Sequence, residues 1–317
     1  MKHLFLINPA AGKRGSTDAL CRQIVDTFTA LGLAYEIFLA AAPRDCEARA
    51  RAAAESGEPV RLYACGGDGT LNEAVNGAAG YDNAAVTNVP KGTGNDFIKL
   101  FGPTYRSAFS DLAALAAGPQ SAFDLMDCNG RLGIDVCCAG VDARIAADVH
   151  KYKSIPLLNG MAAYSLSLIV NVLFKGLSRP TRILAGDTVL DGESTIICIC
   201  NGRHYGGGFM PVGGAQPDDG ILDMLVVPKV GRLTFFRLLG AYAKGRYREH
   251  PEVLAHFHGQ SFAFSSPQEL TAVVDGEVIH AKDFHVSLSP KKVWFFYPAG
   301  LNYHATAITS GTQPVPL

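Results

Sequence analysis

Three short loops combine glycine with polar or charged residues, and each follows an apolar run. Gly66-Gly67-Asp68-Gly69-Thr70 comes directly after Val60 to Cys65. Adjacent glycines let backbone N–H groups approach an anion closely, and the start of a helix adds a favourable dipole. An aspartate there would repel phosphate unless a cation stood between them, so Asp68 points to a nucleotide carried with Mg²⁺. The plainer alternative is a tight turn in which Asp68 caps the next helix. Pro90-Lys91-Gly92-Thr93-Gly94-Asn95-Asp96 is a second loop of this type, where Thr93 and Asn95 could donate to phosphate or ribose oxygens. Asn8-Pro9-Ala10-Ala11-Gly12-Lys13 is the third, with Lys13 either meeting a phosphate or simply solvated. None is a GxxxxGK[ST] sequence, and the first strand–helix turn lacks GxGxxG.

The spacing of apolar residues predicts the elements that hold these loops. His3 to Asn8 reads as a strand, followed by a helix capped by Ser16, with Leu20, Ile24, Phe28 and Leu31 at helical spacing and Gly32 as its stop. Strands at Tyr35 to Leu39, Val60 to Cys65 and Ala84 to Val89 alternate with helices at Asp45 to Ser56 and Thr70 to Ala78. Such alternation predicts a mostly parallel sheet with helices on both faces, whose ligands bind at the carboxyl ends of the strands. All three loops fall on that edge. From Ser121 short runs rich in Val, Ile, Phe and Cys follow one another between turns such as Asn129-Gly130, Asp191-Gly192 and Asp275-Gly276. That texture predicts an antiparallel β domain interrupted by helices around 143–175 and 231–247. The expected organisation is an α/β nucleotide-binding domain over 1–120, joined by a returning segment near 290–304. A β-rich substrate and catalytic domain covers 121–289, and a frayed tail 305–317.

At 317 residues, 48% hydrophobic and 18% charged, the chain has the composition of a globular protein large enough for two domains. Lys+Arg is 28 against Asp+Glu 29, a net charge of -1, which removes the basic footprint of a nucleic-acid binder and any standing attraction to an anionic membrane. Eight cysteines form no CxxC pair, so neither a zinc knuckle nor a secreted disulfide framework is expected. The N-terminus carries no long apolar h-region with a small-residue cleavage site. A reduced, cytoplasmic setting follows. Ile155 to Phe174 is free of charge and approaches the ~20 residues of a membrane span. Asn159, Gly160, Ser165, Ser167 and Asn171 dilute it, and it reads as a buried helix, with transient contact to a membrane surface left open.

Taken together, the motifs resemble the diacylglycerol-kinase-like lipid kinases, including bacterial diacylglycerol kinases and relatives of sphingosine kinase. The landmarks are Asn8-Pro9-Ala10-Ala11-Gly12, Gly66-Gly67-Asp68-Gly69-Thr70-Leu71-Asn72-Glu73, Gly92-Thr93-Gly94-Asn95-Asp96-Phe97, Asn201-Gly202 with Gly206-Gly207-Gly208, Asp218-Asp219-Gly220-Ile221-Leu222-Asp223 and Asp275-Gly276-Glu277. They are spread in order over nearly the whole chain. The Gly-Gly-Asp-Gly-Thr element alone is shared with NAD kinases and resembles one in phosphofructokinases. The resemblance implies an N-terminal domain of NAD-kinase and phosphofructokinase type, a C-terminal antiparallel β-sandwich and a cleft between them.

It further implies ATP and Mg²⁺, with Asn8, Gly12, Gly66, Gly67, Asp68, Gly69, Thr70, Leu71, Asn72, Thr93, Gly94 and Asn95 around the nucleotide. Glu277 would be the general base toward an acceptor hydroxyl, with Asp275 assisting or touching Mg²⁺ and Asp68 across the cleft. This suits phosphoryl transfer, which needs in-line positioning, a cation on the phosphates and a proton acceptor. Read alone, Val274-Asp275-Gly276-Glu277-Val278 is an ordinary hairpin. Asp219 matches a position that holds a second, structural Mg²⁺ with the main-chain oxygens of Gln216 and Ile221, though Pro217-Asp218-Asp219-Gly220 would form a type I turn in any case. Where the family usually has a threonine after the second strand, this chain has Ala40, which bears on nucleotide preference. The implied acceptor is a lipid such as diacylglycerol, met during transient membrane contact, and a homodimer is an open expectation. The rivals are a kinase for a soluble acceptor such as NAD and a non-catalytic nucleotide-binding regulator. His256-x-His258 fits alternating strand faces and is given no role.

Overall fold

The structure, a computed structural model, describes residues 1–12, 15–153 and 160–301. Lys13, residues 155–159 and the 305–317 tail lie outside the described residues. The chain opens with β1 (Lys2–Ile7), α1 (Ser16–Ala30), β2 (Tyr35–Leu39), α2 (Asp45–Glu55), β3 (Val60–Gly66), α3 (Asp68–Ala78) and β4 (Ala84–Pro90). The strands lie parallel in the order β2-β1-β3-β4. His3 and Phe5 of β1 meet Phe28 of α1 and Tyr63 of β3, with Phe5 stacked on Tyr63 at 4.3 Å between ring centres. Leu4 and Leu6 point the opposite way and are equally buried, so both faces are covered. Ser16 is the first helical residue of α1 rather than its cap; Gly15 takes the cap position in the left-handed region at φ 79.

Two short helices, α4 (Tyr105–Ala108) and α5 (Leu112–Ala116), lead to β5 (Gln120–Cys128), β6 (Arg131–Gly133) and β7 (Val136–Gly140). Then come α6 (Val141–Lys153), α7 (Gly160–Phe174), β8 (Arg179–Ala185), β9 (Thr188–Cys200), β10 (Leu222–Pro228), α8 (Arg232–Ala243), β11 (Ala255–Gly259), β12 (Ser261–Val274) and β13 (Glu277–Phe296). Ladders among β7 to β12 are antiparallel, as hairpin connections require. Their apolar faces enclose a core around Phe264 and Phe284, stacked at 4.8 Å, with Ile183, Ile197, Met224 and Val286. On the other face, Val141, Ile145, Val172, Phe235 and Tyr242 from α6, α7 and α8 pack against Cys198 and Leu225.

The two halves are continuous through β13. Its first part pairs antiparallel with β12, while Trp294 and Phe295 at its end pair in parallel with Ala85 and Val86 of β4. Phe296 then closes edge-on against Tyr63 at 4.9 Å, inside the first core. Arg61 is buried beside it and donates to the carbonyls of Leu115, Ala116 and Gly118, so the end of α5 is satisfied by a guanidinium.

The helix expected over residues 155–174 forms in its described part and is buried on one face only. Ser167, Asn171 and Val172 are buried on α7, with Ser167 and Asn171 donating to the Ile145 carbonyl and to Asp148 of α6, whereas Ile169 and Leu173 are exposed. The two polar side chains face inward beside Val172 because α6 offers them partners, while Ile169 and Leu173 are turned outward. Among the described residues no helix is long and apolar enough to cross a membrane.

Candidate active site

The ends of β1, β3 and β4 bring the three loops together. Asn8 N–H donates to the Cys65 carbonyl at 3.2 Å, and Lys91 and Gly92 N–H both donate to Gly66 O. The Asn8 side chain donates to Thr70 Oγ1 at 3.4 Å, linking the first loop to α3. Ala40, after β2, is fixed beside them by its N–H to Ile7 O at 2.9 Å. The loops at 66–70 and 92–96 interlock so tightly that a side chain on Gly92 would stand 2.5 Å from Gly67 Cα, and one on Gly94 would collide with the Asp68 carboxylate. Glycine is required there by close approach.

Asp68 faces this second loop. Its carboxylate accepts Asn95 N–H at 3.0 Å and Asp96 N–H at 2.5 Å. Asn95 sits at φ 50, and its amide donates to Gly66 O and Asn88 Oδ1, both at 2.8 Å. Both amide hydrogens are thus used inside the protein, and the expected donation from Asn95 to a phosphate does not fit; its role is to shape the loop. Thr93, by contrast, is exposed at the rim of the cleft. Asn72 is also displaced from the nucleotide role. It is fully buried and donates to Leu132 O at 2.8 Å and to Asp275 at 3.3 Å.

The β12–β13 hairpin reaches over the start of α3 from the other domain. A methyl group on Gly69 would stand 3.6 Å from Glu277 Oε1, and one on Gly276 would stand 3.7 Å from Gly69 N. Glu277 therefore hangs above the Gly-Gly-Asp-Gly turn. Asp275 is used differently. At φ 48 its carboxylate accepts the N–H groups of Ile134 (2.6 Å), Asp135 (3.2 Å) and Val136 (3.0 Å), besides Asn72. Four donors on one carboxylate make it the anchor of the hairpin tip, which leaves little room for direct contact with Mg²⁺. Burial still pushes its carboxyl above the usual range, against those hydrogen bonds.

Between the domains lies a cavity of about 590 Å³. One end is acidic: Asp68, Asp96, Asp135 and Asp275 all border it. Burial, then the charge of Asp96, pushes Asp68 up to about 7, and burial pushes Asp135 well above the carboxylate range. Asp135 Oδ2 is buried with no hydrogen-bond partner. The unmatched Asp135 oxygen beside Asp68 offers a hard divalent cation at most two carboxylates, so its remaining oxygen ligands would have to come from phosphate or water. Asp96 also spans the domains, pairing with Lys99 and accepting Gly207 N–H at 2.9 Å. His204 lies alongside, held down to about 4 by burial and then Lys99. The other end is apolar, walled by Cys138, Ala146, Phe209, Ala243 and Val273, with Asp142 and Tyr205 inside it.

Asp135, Asp142 and His204 did not stand out in the sequence. The available signal was a charge within an apolar run, as in Ile134-Asp135-Val136, because a buried carboxylate is seldom placed there without a task. Gln216, Asp219 and Ile221 share one turn at a distance from the cavity. Asp219 accepts Ile221 N–H at 3.0 Å, and the turn is fastened to β5 by Gly220 N–H to Asp124 at 2.9 Å and Asp124 N–H to Pro217 O at 2.6 Å. Burial, then the Asp223, Asp218 and Asp124 charges, raises the Asp219 carboxyl against its bond to Ile221. Among the described residues no three His, Cys, Asp or Glu side chains are placed to hold a metal. Any ion here would rest on one carboxylate and main-chain oxygens.

Residues 2–128 match the diacylglycerol kinase catalytic domain, and residues 135–296 match the YegS C-terminal NAD kinase beta sandwich-like domain. A protein of Pseudomonas aeruginosa named probable lipid kinase YegS-like is 31% identical over 251 residues, covering 75% of this chain and 77% of that one. One of the same name from Stenotrophomonas maltophilia is 29% identical over 307 residues, covering 91% and 94%. A crystal structure described as a diacylglycerol kinase from Bacillus anthracis superposes with a TM-score of 0.69 at 20% identity, over 95% of this chain and 98% of that one. At that identity the likeness is one of fold.

Proposed function

Since the chain belongs to the YegS-like family, in which a diacylglycerol kinase catalytic domain precedes an NAD-kinase-like β-sandwich, we propose that it is a lipid kinase that transfers the γ-phosphate of ATP, carried with Mg²⁺, to a lipid hydroxyl. Diacylglycerol is the acceptor to test first. The observation that carries this reading is Glu277 poised over Gly69, with the acidic end of the cavity beside it and the apolar end beyond.

In this mechanism the glycine turns at 66–69 and 92–94, with Asn8 and Gly12, form the bed for the triphosphate, and backbone N–H groups at the start of α3 face it. Asp68 and Asp135 would hold Mg²⁺, which neutralises charge on the phosphates. Glu277 takes the proton from the acceptor hydroxyl as that oxygen approaches the γ-phosphorus. Asp275 holds the hairpin so that Glu277 meets the turn in register, and acts as a positioning residue. The apolar end receives the acyl part of the acceptor. Gln216, Asp219 and Ile221 would hold a second, structural Mg²⁺ away from the reaction.

The protein works in the cytoplasm and visits membranes to collect its acceptor. The face that suits such visits carries exposed Ile169 and Leu173 on α7 with Leu233 and Phe236 on α8, joined where Arg232 donates to the carbonyls of Val172 and Leu173. The test is phosphate transfer from ATP to diacylglycerol in mixed micelles, against NAD, glycerol and sugars. Transfer to the lipid alone is expected; phosphorylation of NAD with every lipid untouched would overturn the assignment.

A further inference from the structure

We propose that His204 donates from Nε2 to an ester carbonyl of the acceptor, and that this contact selects ester lipids over ether lipids of the same length. The inference rests on the lipid-kinase reading and narrows the acceptor class. His204 borders the cavity beside both of its ends. Its N–H donates to Asp135 Oδ1 at 3.3 Å on the acidic side, and its chain neighbour Tyr205 belongs to the apolar side.

The backbone that carries the ring is fixed before and after it. Asn201 and Gly202 N–H donate to the Asp135 carbonyl at 2.9 and 2.8 Å, and the Asn201 amide donates to the carbonyls of Asp124 and Ile134. Glycine is required at 202, since a side chain there would stand 2.2 Å from Asp135 Oδ1. Beyond the ring, Tyr205 and Phe209 exchange two N–H to carbonyl bonds of 3.0 Å, which close the glycine turn between them. A side chain held this way is suited to reading a ligand.

The two ring nitrogens differ. Nδ1 is buried and has no hydrogen-bond partner. A hydrogen on Nδ1 would be a buried donor without an acceptor, which folded proteins avoid. The ring is therefore neutral, with its one hydrogen on Nε2. Nε2 makes no hydrogen bond among the described residues and is not enclosed as Nδ1 is, so the free donor lies on the accessible side of the ring.

The shape of the acceptor brings a carbonyl to it. With its hydroxyl beside Glu277 and its chains at the apolar end, a diacylglycerol lays its ester groups along the stretch that His204 borders. A carbonyl oxygen entering there gives up its bonds to water and needs a donor in exchange. A dialkylglycerol has the same free hydroxyl and the same chains but no carbonyl to offer.

The experiment measures phosphate transfer from ATP to a diacylglycerol and to a dialkylglycerol of matched chain length, in mixed micelles, by the parent, His204→Phe and His204→Gln. The parent should favour the diester in kcat/KM by about 5- to 100-fold, the cost of leaving one neutral buried group unpaired. His204→Phe keeps a ring of similar outline without the donor. It should lower efficiency on the diester by a similar factor, mainly through KM, with less than about a 3-fold change on the diether. His204→Gln sets an amide NH₂ near the place of Nε2 and should recover part of the preference. Equal losses on both lipids in His204→Phe would make the ring a packing residue and overturn this assignment while the lipid-kinase reading stands. A parent that uses the diester and the diether equally well would overturn it with no variant needed, which secures the test should His204→Phe fold poorly. A parent that phosphorylates NAD and neither lipid would overturn both readings.

Discussion

Replacing Asp275 by asparagine tests whether this carboxylate is a reacting group or a tether. In the structure Oδ2 accepts from Ile134 N and Asn72 Nδ2, while Oδ1 accepts from Asp135 N and Val136 N. Asparagine keeps one acceptor oxygen and turns an NH₂ group toward two donors. Two buried donors are then left without a partner, at about 1–3 kcal/mol each, or about 2–6 kcal/mol in total. The backbone adds little, because asparagine tolerates the positive φ of this position as well as aspartate does. With an m value of about 3 kcal/mol per molar urea, the unfolding midpoint should fall by about 0.7 to 2 M. Equilibrium unfolding in urea, followed by far-ultraviolet circular dichroism, measures it directly. Glu277→Gln serves as the control, since no such network depends on Glu277. A midpoint for Asp275→Asn that matches the parent, with turnover abolished, would refute the tether and restore a chemical role.

Glu277→Gln should lower turnover by about 10²- to 10⁴-fold, the range for a positioned base, with an unchanged urea midpoint; near-normal turnover would remove Glu277 from the chemistry. Asp219→Ala should release a bound Mg²⁺ and loosen residues 205–223, seen by metal analysis and hydrogen exchange; parent-like metal content and protection would remove the second ion. The Asp142 carboxyl titrates at about 7 in the folded protein against 3.8 in a free side chain, so the native state holds that proton more tightly. Its contribution is fully present below about pH 4 and is lost as pH rises through about 7, a change of about 4 kcal/mol. Thermal midpoints from pH 4 to 8 should therefore fall less steeply for Asp142→Asn than for the parent, and identical slopes would count against the buried carboxylate. Leu233→Glu should weaken sedimentation with lipid vesicles while leaving transfer to micellar acceptor within about 3-fold; unchanged vesicle binding would move the membrane face elsewhere.

The parallel sheet was legible because β1, β3 and β4 are buried on both faces and so read as continuous apolar runs, each ending in a glycine loop. The placement of Glu277 over Gly69 was reachable only through resemblance, since residues about two hundred apart share no local pattern. The inward use of Asn95, Asn72 and Asp275 was hidden for a related reason. A side-chain amide or carboxylate in a motif looks the same whether it faces a ligand or braces the loop that does. Ser16 fits the cap pattern in composition, but the left-handed Gly15 moved the helix start by one residue. On α7, the outward turn of Ile169 and Leu173 depends on Asp148 and the Ile145 carbonyl waiting on α6, which no single-helix periodicity contains.

The path of β13 bears on how the protein is made. On the ribosome, β1 to β4 emerge early, yet the parallel partner of β4 is Trp294 and Phe295, and the ring that closes on Tyr63 belongs to Phe296. Until that strand is synthesised, the flank of β4 lacks this partner and the aromatic core around Phe5 and Tyr63 is unfinished. The first half of the chain must therefore wait, partly assembled and open to pairing with other nascent strands, until Trp294, Phe295 and Phe296 have been made. The nucleotide domain and the catalytic hairpin are completed by the same strand.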